Sequence, residues 1–300
     1  MATAQNSRRQ YAFVPEVTFG TTPATPQTQL IEVVSFDADL QAEQLNSATI
    51  RPDRQVAFSR RGNQSVSGNM VVELVPDNFD WAVEAVLGGT WATNAVKVGN
   101  TERYFSIEEG FTDLPQFRVF NGVALNSMSM EVTPTALVTA SFGLIGRGTS
   151  AFSGTSIDST PTAITKKDVF YHEGGTITEG GSTIAYVTAI SFEVTNNMTG
   201  NYALGNTSYR SISQGRVEVT GTVTAMFESE TLYNKFKNST TSSLAFTLAA
   251  GAEEMTFTFP DVRYTTGTVT RGDAGPVLVE LGFTAIYDTT TASSIVVTKV

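Results

Sequence analysis

Apolar and polar positions alternate over residues 65–75, where Val66, Met70 and Val72 recur with small or polar residues between them. That period of two predicts a half-buried strand. Pro76 ends it. Asp77 or Asn78 is then placed to cap a helix, because either side chain accepts from the free N–H groups of a first turn. Phe79, Val83, Val86 and Leu87 fall on one stripe at helical spacing. Gly88 and Gly89 end the helix, since glycine takes the left-handed conformation that a C-terminus often needs.

The same grammar returns over residues 216–238. Val217, Val219, Val223 and Met226 predict a strand with Gly221 inside it. Ser229 is a candidate cap, and Leu232, Tyr233 and Phe236 form the apolar stripe. Gly68 lies over Gly221 at an offset of 153, which drops Phe79 onto Leu232. Residues 138–144 lie over 277–283 at an offset of 139, and residues 34–37 resemble 190–193 at 156. Chance likeness between strands is the alternative. Three blocks in the same order favour two copies of one β-rich unit, each with a single helix.

Residues 1–29 hold no periodic apolar segment, and Pro23 and Pro26 each remove a ladder donor, so an extended N-terminal arm is expected. Tyr11, Phe13, Val17 and Phe19 favour an arm docked on another surface over one left in water. Residues 30–150 then make a first unit, 151–162 a Gly/Ser/Thr-rich linker and 163–300 a second unit. Residues 30–40 predict a strand, and 41–54 a long polar connection of a length that is usually functional or disordered. That connection carries Arg51, Asp53 and Arg54, with Arg60 and Arg61 just beyond; arginine suits ion pairs across interfaces. Its counterpart, residues 195–214, carries Tyr202, Tyr209 and Arg210 and much less charge. A hairpin turn is expected at 98–100, another at 270–276, and a bulge or turn at Asn121 and Gly122.

Composition narrows the function classes. A content of 41% hydrophobic residues can build cores, and abundant Thr, Ser and Val favour strands. The absence of cysteine removes disulfides and thiolate zinc sites. A net charge of −10 opposes a surface that grips nucleic acid, but suits one that repels it. The first residues lack a hydrophobic signal core and no apolar run has membrane-spanning length, so synthesis and folding in the cytoplasm, away from any membrane, are expected.

Candidate chemistry is sparse. His172 is the single histidine and has no metal-sharing partner in sequence. Glu108 and Glu109 with Asp113, and Glu253 with Glu254, lack calcium-loop spacing and are expected to be solvated faces. Arg271, Gly272 and Asp273 spell an adhesion tripeptide but sit where a turn is expected. No nucleophile elbow or phosphate loop is present, so no enzyme, cofactor or metal is expected. A helix-poor β protein with open sheet edges points instead to assembly.

The segment Glu16-Val-Thr-Phe-Gly-Thr-Thr-Pro-Ala-Thr-Pro26 resembles the N-terminal segment of tail tube proteins from long-tailed, siphophage-type bacteriophages. So does the polar loop leading into residues 65–73, and the aromatic-acidic helix start at Phe79, Asp80 and Trp81. The likeness runs over residues 11–145, and the second half supports it by resembling the first. It implies a mainly β fold: two tandem β-sandwich or half-barrel domains, each with one short helix, joined into a closed ring and a stacked hollow tube. It implies a structural virion protein of the phage tail, the major tail tube subunit, forming a conduit for DNA ejection. Two domains per chain then predict homotrimeric, pseudo-hexameric rings. Implied partners are the tape-measure protein and DNA in the lumen, without specific DNA binding, and the tail terminator and tip proteins. Inter-ring contacts are expected from Phe13, Phe19, Arg51, Asp53, Arg54, Arg60, Arg61, Tyr202, Tyr209 and Arg210. Lumen candidates are Glu73, Glu131, Glu218 and Glu280. Removal of residues 2–26 is expected to leave a folded chain that no longer polymerises. The competing readings are a tail terminator, the inner tube of a contractile device, or a non-viral β-sandwich binding module.

Overall fold

Tyr11, Ala12, Phe13 and Val14 make a continuous buried run inside β1, Arg9–Pro15. A run covered on both faces shows no alternation. The computed structural model describes residues 3–173, 175–184, 186–228, 230–271 and 274–300. After β1 come β2 (Gln29–Ile31), β3 (Ser35–Phe36), β4 (Asp39–Asn46) and β5 (Ser59–Glu73). Helix α1 (Asp80–Leu87) leads to β6 (Ala95–Lys97), β7 (Phe105–Phe111), the long β8 (Gln116–Val132), β9 (Thr139–Gly146) and β10 (Gly148–Thr149). The second half holds β11 (Ile177–Glu179), β12 (Ser182–Thr183), β13 (Val187–Thr195), β14 (Thr199–Asn201), β15 (Ser211–Ser213) and β16 (Glu218–Met226). It continues with α2 (Thr231–Lys237), β17 (Thr241–Ala250), the long β18 (Glu253–Thr270), β19 (Leu278–Ala285) and β20 (Val296–Lys299).

The protein is mainly β, with two short α-helices among the described residues. Its spine is an open antiparallel sheet in the order β4–β5–β9–β8–β13–β16–β19–β18, with β3 beside β5 at the β4 end. Strands β8 and β18 are long because each serves two ladders. The first part of β8 pairs with β7 and its later part with β9 and β13. Likewise the first part of β18 pairs with β17 and β20 and its later part with β19. In β8 the change of partner falls at Gly122, whose φ of 61° opens the strand, where a bulge or turn was expected.

The pairing recurs between the halves. Leu125 faces Leu144 and Tyr264 faces Phe283, each followed by a one-residue bulge, at Asn126 and Thr265. Gly68 faces Leu144 and Gly221 faces Phe283. These ladders keep the offsets 139 and 153. The upstream block differs: Phe36 faces Met70 and Ile190 faces Val223, which sets its offset at 154 instead of 156. The difference is even, so the same residues still share a face. Glycine is required at Gly68, where a Cβ would lie 2.3 Å from the backbone of Ala38, and at Gly221, where it would lie 2.4 Å from the Ser191 carbonyl oxygen.

One face of the spine is apolar and carries the core. Met70, Phe142, Met128, Phe192, Val223, Leu281 and Tyr264 project from successive strands and are buried. A fully buried side chain of this size contributes about 1.5–3 kcal/mol. Helix α1 lies on this face against β8 and β13 and buries Ala82, Val83, Ala85, Val86 and Leu87. Gly88 ends it in the left-handed conformation, φ 62°, as its sequence predicts. The cap differs: Asp77 and Asn78 do not cap α1. Asn78 donates to the Thr165 carbonyl, and Asp77 takes ion pairs from Lys167 and Lys299. Helix α2 buries no residue and rests on β18 and β19; Ser229, its candidate cap, lies outside the described residues.

The N-terminal segment is not a free arm. Strand β1 pairs with β2 on one side and β7 on the other. The 151–162 segment is also held: Phe117 bridges Ser153, and Thr28 donates to Asp158 through backbone and hydroxyl. No hairpin turns at 98–100. Gly99 and Thr101 donate to Leu87 and Gly88 at the end of α1, and the chain reverses earlier, at Thr93 and Asn94, both with positive φ. The expected turn at 270–276 and the adhesion tripeptide include Gly272 and Asp273, which lie outside the described residues.

Candidate assembly surfaces

The face of the spine opposite the core is polar, and it gathers the acidic candidates. In β5, Glu73 faces Thr139, which also faces Glu131. Glu131 faces Ser191 across the β8–β13 ladder, and Glu193 faces Ser129. In the second half Glu218 faces Thr195, and Glu280 faces both Thr224 and Thr268. Directly opposed residues share a face, so register alone puts Glu73, Glu131, Glu218 and Glu280 together. All four are exposed. Sequence reading missed Asp37, Asp39 and Glu193, which stand on the same face opposite Asn69, Ser67 and Ser129. Alternation out of phase with the core positions would have found them. Between the carboxylates the face is mostly Ser, Thr and Gly. A groove lined by Ser129, Glu131, Ser191, Glu193, Thr220 and Thr284 shows that it is concave. Arg263 also stands here, opposite Thr284.

The long connection proves to be the tip of a protruding hairpin, because β4 and β5 extend the pairing outward as far as Asn46 and Ser59. Beyond them Arg51 and Asp53 form a local ion pair at 2.7 Å, and both are exposed. Arg54 has φ 61° and closes that turn. Ile50 is 98% exposed and Phe58 76%, with Leu45 and Val56 also outside. Arg60 and Arg61 lie lower on the hairpin, opposite Leu45 and Gln44. At its base the β14–β15 hairpin packs on it: Gln64 donates its backbone N–H to the Thr207 carbonyl at 2.7 Å and its Nε2 to Ser208 Oγ at 2.9 Å. Tyr202 and Tyr209 sit ring to ring at 4.7 Å there, and the Arg210 N–H donates to the Asn201 carbonyl. The two loops are thus neighbours on one end of the chain.

Phe13, expected at an inter-ring contact, stands inside the chain. It is 5% exposed and stacks on Trp81, so it belongs to the chain's own core and offers nothing to a neighbour. Phe19 is half-buried, edge-on to Tyr104 at 4.7 Å. The conspicuous segment around it is a latch. Glu16 accepts from Ser106 Oγ at 2.7 Å, the Gly122 N–H at 2.9 Å and the Gly20 N–H at 2.6 Å. One carboxylate thereby ties the N-terminal segment to the point where β8 changes partner.

Glu108 and Glu109 are buried rather than solvated. Glu108 accepts from Ser156 Oγ at 2.7 Å and the Ile157 N–H at 2.8 Å; Glu109 accepts from Arg118 at 2.7 Å and the Tyr11 hydroxyl at 2.9 Å. Their pairing explains how two adjacent carboxylates tolerate burial. Burial, then the Glu109 charge, pushes the Tyr11 hydroxyl well above its ordinary pKa, and burial with Glu179 does the same at Tyr264. Glu253 is bound to Lys167 at 2.7 Å, and the His172 ring lies tilted against that of Tyr171 at 4.2 Å. Among the described residues no group of three or more metal-binding side chains forms, and no helix is long and apolar enough to cross a membrane.

What the arrangement offers is surface and edges: a concave acidic sheet, a protruding apolar tip and two open strand ends. A comparison with curated proteins finds no match. Residues 6–285 match the family model of the phage tail tube protein, and with nearly its whole length so covered the chain belongs to that family, the structural proteins that build the tube of a phage tail.

Proposed function

We propose that this chain is the major subunit of a siphophage-type tail tube, with two tandem related units that occupy two of six positions in a ring. Three chains then close a pseudo-hexameric ring, and rings stack into a hollow conduit for DNA ejection. The observation that carries this reading is the repetition of the β8–β9 ladder, bulge included, by β18–β19. Two units joined through β8 and β13 form a single curved sheet with an open edge at each end, and a heterologous contact between such edges closes into a ring when its rotation divides a circle.

The concave polar face lines the channel in this arrangement. Like charge on Glu73, Glu131, Glu193, Glu218 and Glu280 removes the counterion-release term that makes DNA adhere, so DNA and a tape-measure protein pass without sticking. The protruding β4–β5 tip, with Ile50, Val56 and Phe58 exposed, contacts the next ring together with Arg51, Arg54 and the Tyr202 loop, since apolar groups left this open favour a partner. Terminator and tip proteins cap the ends. The chain acts as a building block, without a catalytic role.

Electron microscopy of the concentrated, negatively stained protein tests this. Rings or hollow filaments are expected. A monodisperse monomer at every concentration contradicts it.

A further inference from the structure

The chain carries an inner seam, the ladder between β8 and β13, and two open edges that repeat its two sides. By the offset 139, residues 127–131 of β8 correspond to 266–270 of β18. By the offset 154, residues 191–195 of β13 correspond to 37–41. Strand β8 meets β13, yet among the described residues nothing pairs with the outer side of β3 and β4, or with β18 beyond Arg263 on the side away from β19. The helices differ in the same sense. Helix α1 spans the inner seam and buries five residues, whereas α2 rests on β18 and β19, reaches β11 and β17 through Lys235, and buries none.

We propose that neighbouring copies join through these edges in the register of the inner seam. Asp37 of one copy then stands opposite Thr270 of the next, Ala38 opposite Val269, Asp39 opposite Thr268, Leu40 opposite Gly267 and Gln41 opposite Thr266. This rests on the ring reading and adds the residues that make the closing contact.

Three observations support this register. First, two of the three polar-face pairs of the inner seam set a carboxylate against a hydroxyl, Glu131 with Ser191 and Ser129 with Glu193, and the third sets Ser127 against Thr195. The outer register repeats that rule, Asp37 with Thr270 and Asp39 with Thr268, and brings no two carboxylates directly opposite. Second, it joins apolar to apolar on the core face, Ala38 to Val269 where the inner seam has Phe192 and Met130. Third, the edge amides face the right way. The Asp37 N–H donates inward to the Asn69 carbonyl at 3.0 Å. Hydrogen-bonding direction alternates along a strand, so the backbone groups of Ala38 and Leu40 face outward. The Leu40 N–H is held by the carboxylate of Asp39 at 2.7 Å, a local substitute for a strand partner. Asp39 and Thr268 then form a non-hydrogen-bonded pair, whose Cα atoms approach to about 4.5 Å, close enough for a disulfide.

The chain has no cysteine, so the test is clean. Full-length Asp39→Cys/Thr268→Cys is assembled, oxidised and run on a non-reducing gel; both positions are exposed, and Asp39 gives up a surface ion pair with Arg118 and its bond to the Leu40 N–H. The inner-seam equivalent, Ser129→Cys/Glu193→Cys, serves as the geometric control and links within one chain. The proposal expects covalent dimers and trimers from the first variant, reversed by reductant and absent from either single-cysteine chain. Linking by Asp39→Cys/Thr266→Cys or Asp39→Cys/Thr270→Cys in its place overturns the register and leaves the ring reading standing. Tubes that form normally with no pair linking overturn the edge contact. A wild-type chain that makes no rings overturns the reading beneath both.

Discussion

Phe13 lies flat against Trp81, ring centroids 3.9 Å apart, and so binds the first strand of the chain to its first helix. Removing that ring opens a cavity between β1, β7 and α1. Phe13→Ala is expected to cost about 3–5 kcal/mol, read as a lower urea midpoint with an unchanged slope. Deleting residues 2–26 removes the buried run Tyr11–Val14 as well, so the truncated chain is expected to lose its cooperative unfolding transition rather than only its ability to polymerise. A stable, folded truncation contradicts this placement of β1.

Gly68 and Gly221 are equivalent and leave no room for a side chain. Gly68 also has φ 153°, which L residues rarely adopt. Alanine at either position is expected to destabilise by about 1–3 kcal/mol. Gly205, with nothing near its Cβ position, provides the comparison for a glycine that has positive φ but open space. Equal thermal shifts at all three positions contradict the close-approach argument.

High pH attacks Tyr11 and Tyr264. Both folded-state values are raised above the ordinary tyrosine value of about 10. The folded chain therefore holds protons that the unfolded chain releases. The associated stability is complete below pH about 10 and falls as pH rises above it. Phenolate absorbance is expected to appear in two stages, the second coinciding with loss of structure by circular dichroism. In Tyr11→Phe and Tyr264→Phe that second stage should shrink. A single smooth titration of every tyrosine in the folded protein contradicts the burial argument.

Reversing charge on the concave face should make it adhere. Assembled Glu131→Lys/Glu193→Lys is expected to retain DNA with an affinity that falls steeply as salt rises, whereas the wild-type tube shows little retention. Anisotropy of a labelled duplex across a salt series reads this directly. Tight, salt-sensitive binding by the wild type contradicts the repelling face.

Much of this was legible in the sequence where a residue's surroundings follow from its neighbours along the chain. Val66, Met70 and Val72 recur at even spacing, so β5 could be read, and Gly88 marks the end of α1. Each of the four glutamates alternates with apolar neighbours in its own strand, but that they share one face follows from cross-strand register. The rest depends on partners distant in sequence. Tyr11–Val14 alternates with nothing because β1 is covered on both sides. Glu108 and Glu109 read as solvated because Ser156, Arg118 and Tyr11, which satisfy them, lie elsewhere in the chain. Asp77 and Asn78 left the helix cap for Lys167, Lys299 and Thr165, three contacts without local signal. A loop of 41–54 became a hairpin because β5 continues outward through Arg60 and Arg61, where polarity hides the strand.

In the proposed tube the acidic face of a repeated sheet lines a channel closed by three copies. A cryo-EM map of the assembled tube measures this most directly. Three chains per ring, one uninterrupted sheet around the bore, and Glu131 and Glu193 facing inward are expected. Six chains per ring, or a bore lined by basic residues, contradicts it.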